Sequence, residues 1–318
     1  MSCEQKPCVV PAENFNAVED AATLRSAMKG FGTDEEAIIE LLTSRSNAQR
    51  QEIKEAFEKE YERDLIEDLK SELGGNFEKV ILALMTPPNE YMCKELNNAM
   101  EGMGTKEDTI IEILCSRPSE EIKEIVSAYE ALYDRPLVEH LCREISGKFS
   151  RLITLIATGT RDPAGTVDPE KAKEDAELLY AAGEEKLGTD EETFNRIMSH
   201  SSFAQLALVF DEYKTLSGMT IEQAIKHEIG GHLHDALMAI VECTQSPPAY
   251  FAKRVHKAMD GMGTVDTALI RIIVSRSEID LDSVKDEFER IYNRTLYSAI
   301  ANETSGDYKK ALVALLKV

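Results

Sequence analysis

Apolar residues recur along this chain every three or four positions, the spacing that places side chains on one face of an α-helix. Up to Leu84 the pattern appears five times, separated by short polar or glycine-containing breaks. The apolar positions are Ala21, Leu24 and Met28; Ile38, Leu41 and Leu42; Ile53, Phe57 and Tyr61; Leu65, Ile66 and Leu69; and Phe77, Val80, Ile81 and Leu84. Because no alternating apolar and polar run of useful length is present, the pattern predicts about five short helices and no strands.

A glycine-containing segment between the first two predicted helices occurs four times. It reads MKGFGTDEE at 28–36, MEGMGTKED at 100–108, EEKLGTDEE at 184–192 and MDGMGTVDT at 259–267. Thr33 followed by Glu36 has the form of a capping box, which predicts that a helix begins directly after the glycines. Thr189 with Glu192 repeats this signal. Recurrence of this kind is typical of repeat proteins. The sequence therefore predicts an all-α fold of four homologous repeats, each with about five helices.

The longest interval between these segments contains a linker, ATGTRDPAGTVDPEKA at 157–172, which is rich in Gly, Pro, Thr and Asp. We therefore predict the following division of the chain: an N-terminal arm at 1–14, repeat 1 at 15–86, repeat 2 at 87–158, a linker at 159–170, repeat 3 at 171–245 and repeat 4 at 246–318. The arm is short, contains two prolines and has no amphipathic helix long enough to dock in a groove, so we expect no strong partner to bind through it. It also has no basic segment followed by an apolar core, which predicts a cytoplasmic protein.

Each glycine segment has a glutamate at a fixed distance along the chain. Counted from the second glycine of each segment, this glutamate lies 40 residues further on in all four repeats, although the repeats differ in length. The glutamates are Glu72, Glu144, Glu228 and Glu303. A Gly-x-Gly turn lets several backbone carbonyls point to one place without clashes between Cβ atoms, and one glutamate can add two more oxygens. Such a flexible oxygen set suits Ca²⁺ better than Mg²⁺, which requires a tight octahedron. We therefore predict a Ca²⁺ site in each repeat, with coordination positions left for water or for an oxygen of a partner.

An apolar residue stands at the tip of each glycine segment: Phe31, Met103, Leu187 and Met262. Beside a cation with open coordination, such residues suit contact with lipid headgroups and the acyl boundary; the alternative is that each packs against its own loop. The net charge of −22 repels an anionic membrane and disfavours nucleic acid as a partner. Because bound cations would reverse this repulsion locally, we expect a protein whose membrane binding depends on Ca²⁺.

Other chemistry has weaker support in the sequence. The segment HEIGGHLH at 227–234 lacks the i, i+4 histidine spacing of a zinc metalloprotease helix. No nucleophile and base can be paired, so we predict that the protein is not an enzyme. The six cysteines form no CxxC pair, which favours reduced thiols. The alternative function is a helical-repeat scaffold whose acidic surface recruits basic protein partners without calcium.

Three segments carry a resemblance to a known family: MKGFGTDEEAIIELLTSRS at 28–46, MEGMGTKEDTIIEILCSRP at 100–118 and MDGMGTVDTALIRIIVSRS at 259–277. With these motifs the chain resembles the annexins from about Phe15 to Val318. The resemblance implies a slightly curved disc of four five-helix repeats with the calcium loops on its convex face. It also implies reversible, calcium-dependent binding to anionic phospholipids such as phosphatidylserine, a role in membrane organisation, trafficking or repair, and scope for self-association on the membrane.

The resemblance also implies the calcium ligands by motif position. They are the carbonyls of Met28, Gly30 and Gly32 with Glu72; of Met100, Gly102 and Gly104 with Glu144; and of Met259, Gly261 and Gly263 with Glu303. A weaker ion would involve Thr33 and Glu35. Repeat 3 departs from the pattern, since Lys186 replaces the first glycine; a variant loop there implies the carbonyls of Gly183, Lys186 and Gly188 with Glu228. Repeat 3 also has His200 where the other repeats have Arg45, Arg117 and Arg276, arginines that we expect in buried or interhelical ion pairs.

Overall fold

The fold of this chain is a set of short helices, seen in a computed structural model that describes residues 6–30, 32–165, 167–183, 188–261 and 263–317. Within these residues there are twenty α-helices and no strand. The helices are α1 Ala17–Ala27, α2 Glu35–Thr43, α3 Asn47–Tyr61, α4 Leu65–Glu72, α5 Gly75–Met85, α6 Pro88–Met100, α7 Glu107–Cys115, α8 Ser119–Tyr133, α9 Leu137–Glu144, α10 Gly147–Ala157, α11 Pro169–Gly183, α12 Glu191–His200, α13 Phe203–Ser217, α14 Ile221–Glu228, α15 Gly231–Gln245, α16 Pro247–Met259, α17 Asp266–Arg276, α18 Leu281–Tyr292, α19 Leu296–Glu303 and α20 Gly306–Leu315. In the described part of the chain, no helix combines the length and the apolar character needed to cross a bilayer.

The helices form four groups of five, α1–α5, α6–α10, α11–α15 and α16–α20. The fourth helix of every group has eight residues, and the third has 15 residues in the first three groups and 12 in the last. The five apolar segments predicted at the start of the chain correspond to α1–α5. The prediction of an all-α fold built from repeats of about five helices is confirmed.

By the density of their internal contacts, the residues divide into two compact units. The first unit contains residues 1–88 and 248–318, so it combines α1–α5 with α17–α20 and nearly all of α16. The second unit contains residues 89–247, the middle of the chain. Repeats 1 and 4, which are far apart in sequence, therefore share one unit.

In the first unit the core lies where helices of repeats 1 and 4 meet. Helix α5 packs against α17 and α20, and α2 packs against α20. Leu42, Leu84, Ile273 and Leu312 come from these four helices, and all are fully buried. Full burial of such a side chain contributes about 1.5–3 kcal/mol. The apolar faces thus hold the first and last repeats together.

The second unit is built in the same way from repeats 2 and 3. Helix α10 packs against α12, α7 packs against α15, and α11 packs against α13 within repeat 3. Phe194 of α12, Leu206 of α13 and Leu237 of α15 are fully buried. Each unit therefore has a core to which two repeats contribute.

The N-terminal arm is bound to the first unit through backbone hydrogen bonds. The amides of Cys8 and Val9 both donate to the carbonyl of Ser277, at 2.9 Å. The amide of Asp282 donates to the carbonyl of Lys6 at 3.0 Å, and Val9 is buried. The arm is thus held by repeat 4, an intramolecular contact that its sequence did not predict.

The three arginines that recur at the end of the second helix make ion pairs, as predicted. Arg45 binds the carboxylate of Asp20 with two hydrogen bonds, of 2.6 and 2.9 Å. Arg276 binds Asp280 in the same bidentate way, with both bonds at 2.7 Å. Arg117 lies with its Nε 3.5 Å from Oε2 of Glu121.

Repeat 3 has a different arginine close to the position where the others have theirs. Arg161, from the predicted linker, is buried and donates to the carbonyl of Ser201 at 2.6 Å. Its guanidinium lies over the ring of Phe203, 4.7 Å from the ring centroid. The amide of Asp162 donates to the carbonyl of His200 at 2.6 Å. The start of the linker is therefore packed against repeat 3 and is not a simple spacer.

No disulfide joins the described cysteines, which are Cys8, Cys93, Cys115, Cys142 and Cys243. Burial raises the pKa of Cys93 to about 11 and the pKa of Cys115 to about 12. Because the thiolate is the reactive form, these two thiols are inert at neutral pH. Cys142 is exposed.

Candidate functional site

The glycines of the four loops adopt backbone conformations that other residues rarely adopt. In repeat 1, φ is +120° at Gly30 and +89° at Gly32. The corresponding values are +135° and +95° at Gly102 and Gly104, +132° and +105° at Gly261 and Gly263, and +90° at Gly188. A Cβ atom added at any of these glycines would meet nothing within 4 Å, so the space beside the loops is open. The backbone conformation, and not crowding, is what requires glycine here.

A backbone hydrogen bond closes each loop at its base. In repeat 1 the amide of Asp34 donates to the carbonyl of Ala27 at 2.9 Å. The equivalent bonds are Lys106 to Ala99 at 2.9 Å, Asp190 to Ala182 at 2.9 Å and Val265 to Ala258 at 2.8 Å. These bonds join the end of the first helix of each repeat to the start of the second, so the two helices set the base of the loop between them.

Each predicted glutamate is the last residue of the fourth helix of its repeat: α4 ends at Glu72, α9 at Glu144, α14 at Glu228 and α19 at Glu303. The second, third and fourth helices of each repeat separate the loop from this glutamate, and their total length is nearly the same in all four repeats. The constant interval of 40 residues therefore has a structural cause, because an insertion there would move the glutamate along or around its helix. The differences in repeat length fall elsewhere, as in α15, which has 15 residues where α5 has 11.

The loop threonine contacts the glutamate in every repeat. The hydroxyl Oγ1 of Thr33 donates to Oε2 of Glu72 at 2.7 Å. Thr189 donates to Oε2 of Glu228 at 2.8 Å, and Thr264 donates to Oε2 of Glu303 at 3.5 Å. In repeat 2 the bond goes to the backbone, since Thr105 donates to the carbonyl of Glu144 at 3.2 Å. The glycine loop and the glutamate 40 residues later thus lie side by side in all four repeats.

These contacts show that the capping-box prediction for Thr33 and Thr189 is wrong. The N-cap of α2 is Asp34, whose Oδ1 accepts a hydrogen bond from the amide of Ala37 at 3.0 Å. The N-cap of α12 is likewise Asp190, one residue after Thr189. The threonine hydroxyls are directed to the glutamates, a tertiary partner that the local capping pattern could not reveal.

The predicted carbonyl ligands lie at the ends of the preceding helices and in the loops. Helices α6, α16 and α11 end at Met100, Met259 and Gly183, and Met28 is the C-cap of α1. The side chains of all three methionines are buried, so these residues can offer only backbone oxygen to the open side. The carboxyl-bearing residues Glu72, Glu144 and Glu303 are exposed, while Glu228, Thr33 and Glu35 are partly exposed.

Four of the predicted site residues, Phe31, Lys186, Leu187 and Met262, lie outside the described residues. The one described loop tip, Met103, has a relative exposure of 107%. It therefore does not pack against its own loop, which was the alternative to lipid contact for this residue.

Side chains alone do not form a metal site in the described part of the chain. No group of three or more His, Cys, Asp or Glu side chains there is arranged to hold an ion. Two histidines of the segment HEIGGHLH contact carboxylates. Nε2 of His232 lies 3.8 Å from Oε1 of Glu107, and Nδ1 of His234 lies 3.0 Å from Oδ1 of Asp235. An ion in the loops would therefore need backbone carbonyls. Glycine turns beside an open space, each adjacent to one glutamate, can supply the carbonyl and carboxylate oxygens that Ca²⁺ accepts, so the residues present fit this ion.

Two titratable groups close to these glutamates are perturbed by burial. Burial lowers the pKa of His140, which lies on α9 one turn before Glu144. Burial and a 2.9 Å hydrogen bond to Asp266 raise the pKa of Tyr308, next to the loop of repeat 4. The lowered pKa of His140 and the raised pKa of Tyr308 both favour the uncharged side chain at neutral pH.

Comparison with known proteins gives a consistent result. The family model described as Annexin matches this chain four times, at residues 19–84, 91–156, 174–240 and 250–315. The chain is 63% identical over 318 residues to annexin B10 of Drosophila melanogaster, with 99% of each chain covered. It is similar to the structure of annexin III, with a TM-score of 0.96, 43% identity and coverage of 98% and 97% of the two chains. It is also similar to the structure of calcium-bound annexin (Sm)1, with a TM-score of 0.90, 32% identity and coverage of 99% and 93%.

Proposed function

This chain belongs to the annexin family, and we propose that it binds anionic phospholipid membranes reversibly when Ca²⁺ is present. The main support for this proposal is a hydrogen bond in each repeat. It joins the threonine of the glycine loop to the glutamate that ends the fourth helix. This contact supports a site in each repeat where loop carbonyls and one glutamate carboxylate could meet around an ion. The calcium-bound structure of annexin (Sm)1 adds support from a relative.

We assign the calcium ligands by repeat. They are the carbonyls of Met28, Gly30 and Gly32 with Glu72; of Met100, Gly102 and Gly104 with Glu144; of Gly183, Lys186 and Gly188 with Glu228; and of Met259, Gly261 and Gly263 with Glu303. Thr33 and Glu35 form the weaker site in repeat 1. The threonine hydroxyl that donates to Glu72 leaves the other carboxylate oxygen available, and it fixes the side chain close to the loop.

The charge of the chain explains why the binding depends on the ion. A net charge of −22 makes approach to an anionic bilayer unfavourable. When bound, Ca²⁺ supplies local positive charge and open coordination positions that phosphate oxygens of lipid can fill. The protein contributes the fixed oxygens on one side, and removal of Ca²⁺ restores the repulsion. On this basis the protein is cytoplasmic, is peripheral on membranes when calcium rises, and acts as a binding protein in membrane organisation, trafficking or repair.

The exposed side chain of Met103 supports a second component of binding. Transfer of this fully exposed methionine side chain from water into lipid is favourable, so it would strengthen membrane binding. We place Phe31, Leu187 and Met262 at the same interface because they occupy the same sequence position. Apolar contact adds affinity that salt does not screen, whereas the ion-dependent component weakens with salt.

A sedimentation experiment tests the proposed function. The full chain is mixed with vesicles of phosphatidylserine and phosphatidylcholine, or of phosphatidylcholine alone, in calcium and then in chelator. We expect sedimentation only with phosphatidylserine and calcium, and release on addition of chelator. Sedimentation in both calcium and chelator, or in neither, would reject the proposal and favour the calcium-independent scaffold as the alternative.

A further inference from the structure

The helix that follows the loop of repeat 4 begins with an unusual residue. The N-cap of the second helix is Asp34 in repeat 1, Lys106 in repeat 2, Asp190 in repeat 3 and Val265 in repeat 4. Valine is among the least favourable N-cap residues because its side chain cannot accept a hydrogen bond from the free amides of the first turn. Asp34 makes such a bond to Ala37, whereas α7, α12 and α17 have no side-chain cap bond. Val265 differs from the other three N-cap residues because it is apolar.

Packing does not explain the presence of valine at this position. The side chain of Val265 is 55% exposed, so it gains little from burial in the folded protein. The next residue, Asp266, accepts a hydrogen bond from Tyr308 of α20 and so is engaged with the body of the unit. Val265 therefore neither caps its helix nor contributes a buried side chain to the core.

The position of Val265 is fixed relative to the loop. Its amide donates to the carbonyl of Ala258 at 2.8 Å, the bond that closes the base of the loop. The loop glycines Gly261 and Gly263 precede it, and the glutamate Glu303 is joined to the adjacent Thr264. Among the large exposed apolar residues in the described part of the chain, Met103 and Val265 are those in or directly after a glycine loop.

We propose that Val265 is a further membrane-contacting residue, which enters the headgroup region of a lipid bilayer when the loop of repeat 4 docks. The inference rests on the proposed function and adds to it a contact that the motif does not contain, at a position where the other repeats have a charged residue. Lipid is the occupant because the exposed side chain is continuous with the calcium loop, where the proposed function places lipid phosphate. Repeat 4 thus has an apolar side chain for membrane contact where the other repeats have a charged one.

Tryptophan fluorescence tests this inference, since the chain contains no tryptophan. In Val265→Trp the new residue is the sole indole reporter. We expect its emission to shift to shorter wavelength with phosphatidylserine vesicles and calcium, to be quenched by lipids brominated on the acyl chains, and to return to its original state in chelator. The matched control is Val18→Trp, because Val18 is also about half exposed, at 50%. It lies at the start of α1, whereas the loop of repeat 1 follows the end of this helix, roughly 15 Å away at 1.5 Å per residue. We expect no shift in the control.

The variant Val265→Ser supplies a second, independent readout. Serine provides the missing cap without adding charge, so the melting temperature in chelator should rise by about 2–4 °C. The lipid concentration for half-maximal sedimentation at saturating calcium should rise about threefold, because apolar contact is lost. The same substitution at Val18 should leave lipid binding unchanged.

The outcomes separate this inference from the proposed function. If Val265→Trp sediments with vesicles but its emission does not shift, or if Val18→Trp shifts equally, the inference fails while the proposed function stands. Unchanged lipid binding of Val265→Ser would also overturn it. If the unmodified chain does not sediment with phosphatidylserine and calcium, both fail.

Discussion

The double variant Glu72→Gln with Glu303→Gln should require about tenfold more calcium for half-maximal vesicle binding than the unmodified chain, since fewer charged ligands weaken a Ca²⁺ site. In our account each substitution removes a carboxylate charge and the bidentate binding mode from one of four sites. The two remaining sites keep the protein competent to bind at higher calcium, because linked sites reinforce each other on one surface. The stability of the folded chain in chelator should be nearly unchanged. Glu72 is exposed, and the amide oxygen of glutamine can still accept the hydrogen bond that Thr33 donates.

The measurement is a calcium titration of vesicle sedimentation, with thermal unfolding in chelator measured in parallel. A suitable control is Glu60→Gln with Glu289→Gln, which removes the same charge from exposed positions on α3 and α18, away from the loops. The control should bind at the calcium concentration of the unmodified chain or slightly below it, because it carries less negative charge. If Glu72→Gln with Glu303→Gln binds at that concentration too, these glutamates are not ligands.

Asp280→Ala should destabilise the folded chain by about 3–5 kcal/mol, the largest stability effect that we expect from one substitution. Asp280 is completely buried and accepts two hydrogen bonds of 2.7 Å from Arg276. The guanidinium of Arg276 is itself buried, 4.2 Å from the ring centroid of Phe251. Removal of the carboxylate leaves this charge without compensation in a poorly solvated place.

Denaturant unfolding in chelator measures this effect. The double variant Asp280→Ala with Arg276→Met is the matched control, because it removes both charges and should recover part of the lost free energy of unfolding. If both variants lose the same free energy of unfolding, the destabilisation comes from the missing volume of the Asp280 side chain. If Asp280→Ala is as stable as the unmodified chain, the ion pair contributes nothing to stability.

The sequence predicted the parts of the fold that depend on local pattern. The apolar period of residues such as Leu24, Ile38 and Phe57 corresponds to α1, α2 and α3, and these side chains are buried. The pairing of each glycine loop with one glutamate was also visible in the sequence, because the total length of the helices between Gly32 and Glu72 is nearly the same in the other repeats. A constant spacing is visible in a sequence when rigid elements set it.

Features that depend on a distant partner were not predictable. The pattern around Thr33 suggested a helix cap, yet its hydroxyl bonds to a carboxylate 39 residues away. Arg161 lies in the predicted linker, but its guanidinium is buried and donates to the carbonyl of Ser201. The arm around Cys8 has no helical pattern, and it is held by the carbonyl of Ser277, at the opposite end of the chain. In each case the deciding contact joins segments whose proximity only the folded chain reveals.

A crystal structure of the full chain grown in calcium would show whether the glycine loops and their glutamates hold Ca²⁺. We expect an ion in the first loop, bonded at about 2.3–2.6 Å to the carbonyl oxygens of Met28, Gly30 and Gly32 and to the carboxylate of Glu72. We also expect equivalent ions beside Glu144 and Glu303. Loops without ions in a calcium-rich crystal, with these glutamates turned away from the glycines, would contradict this prediction.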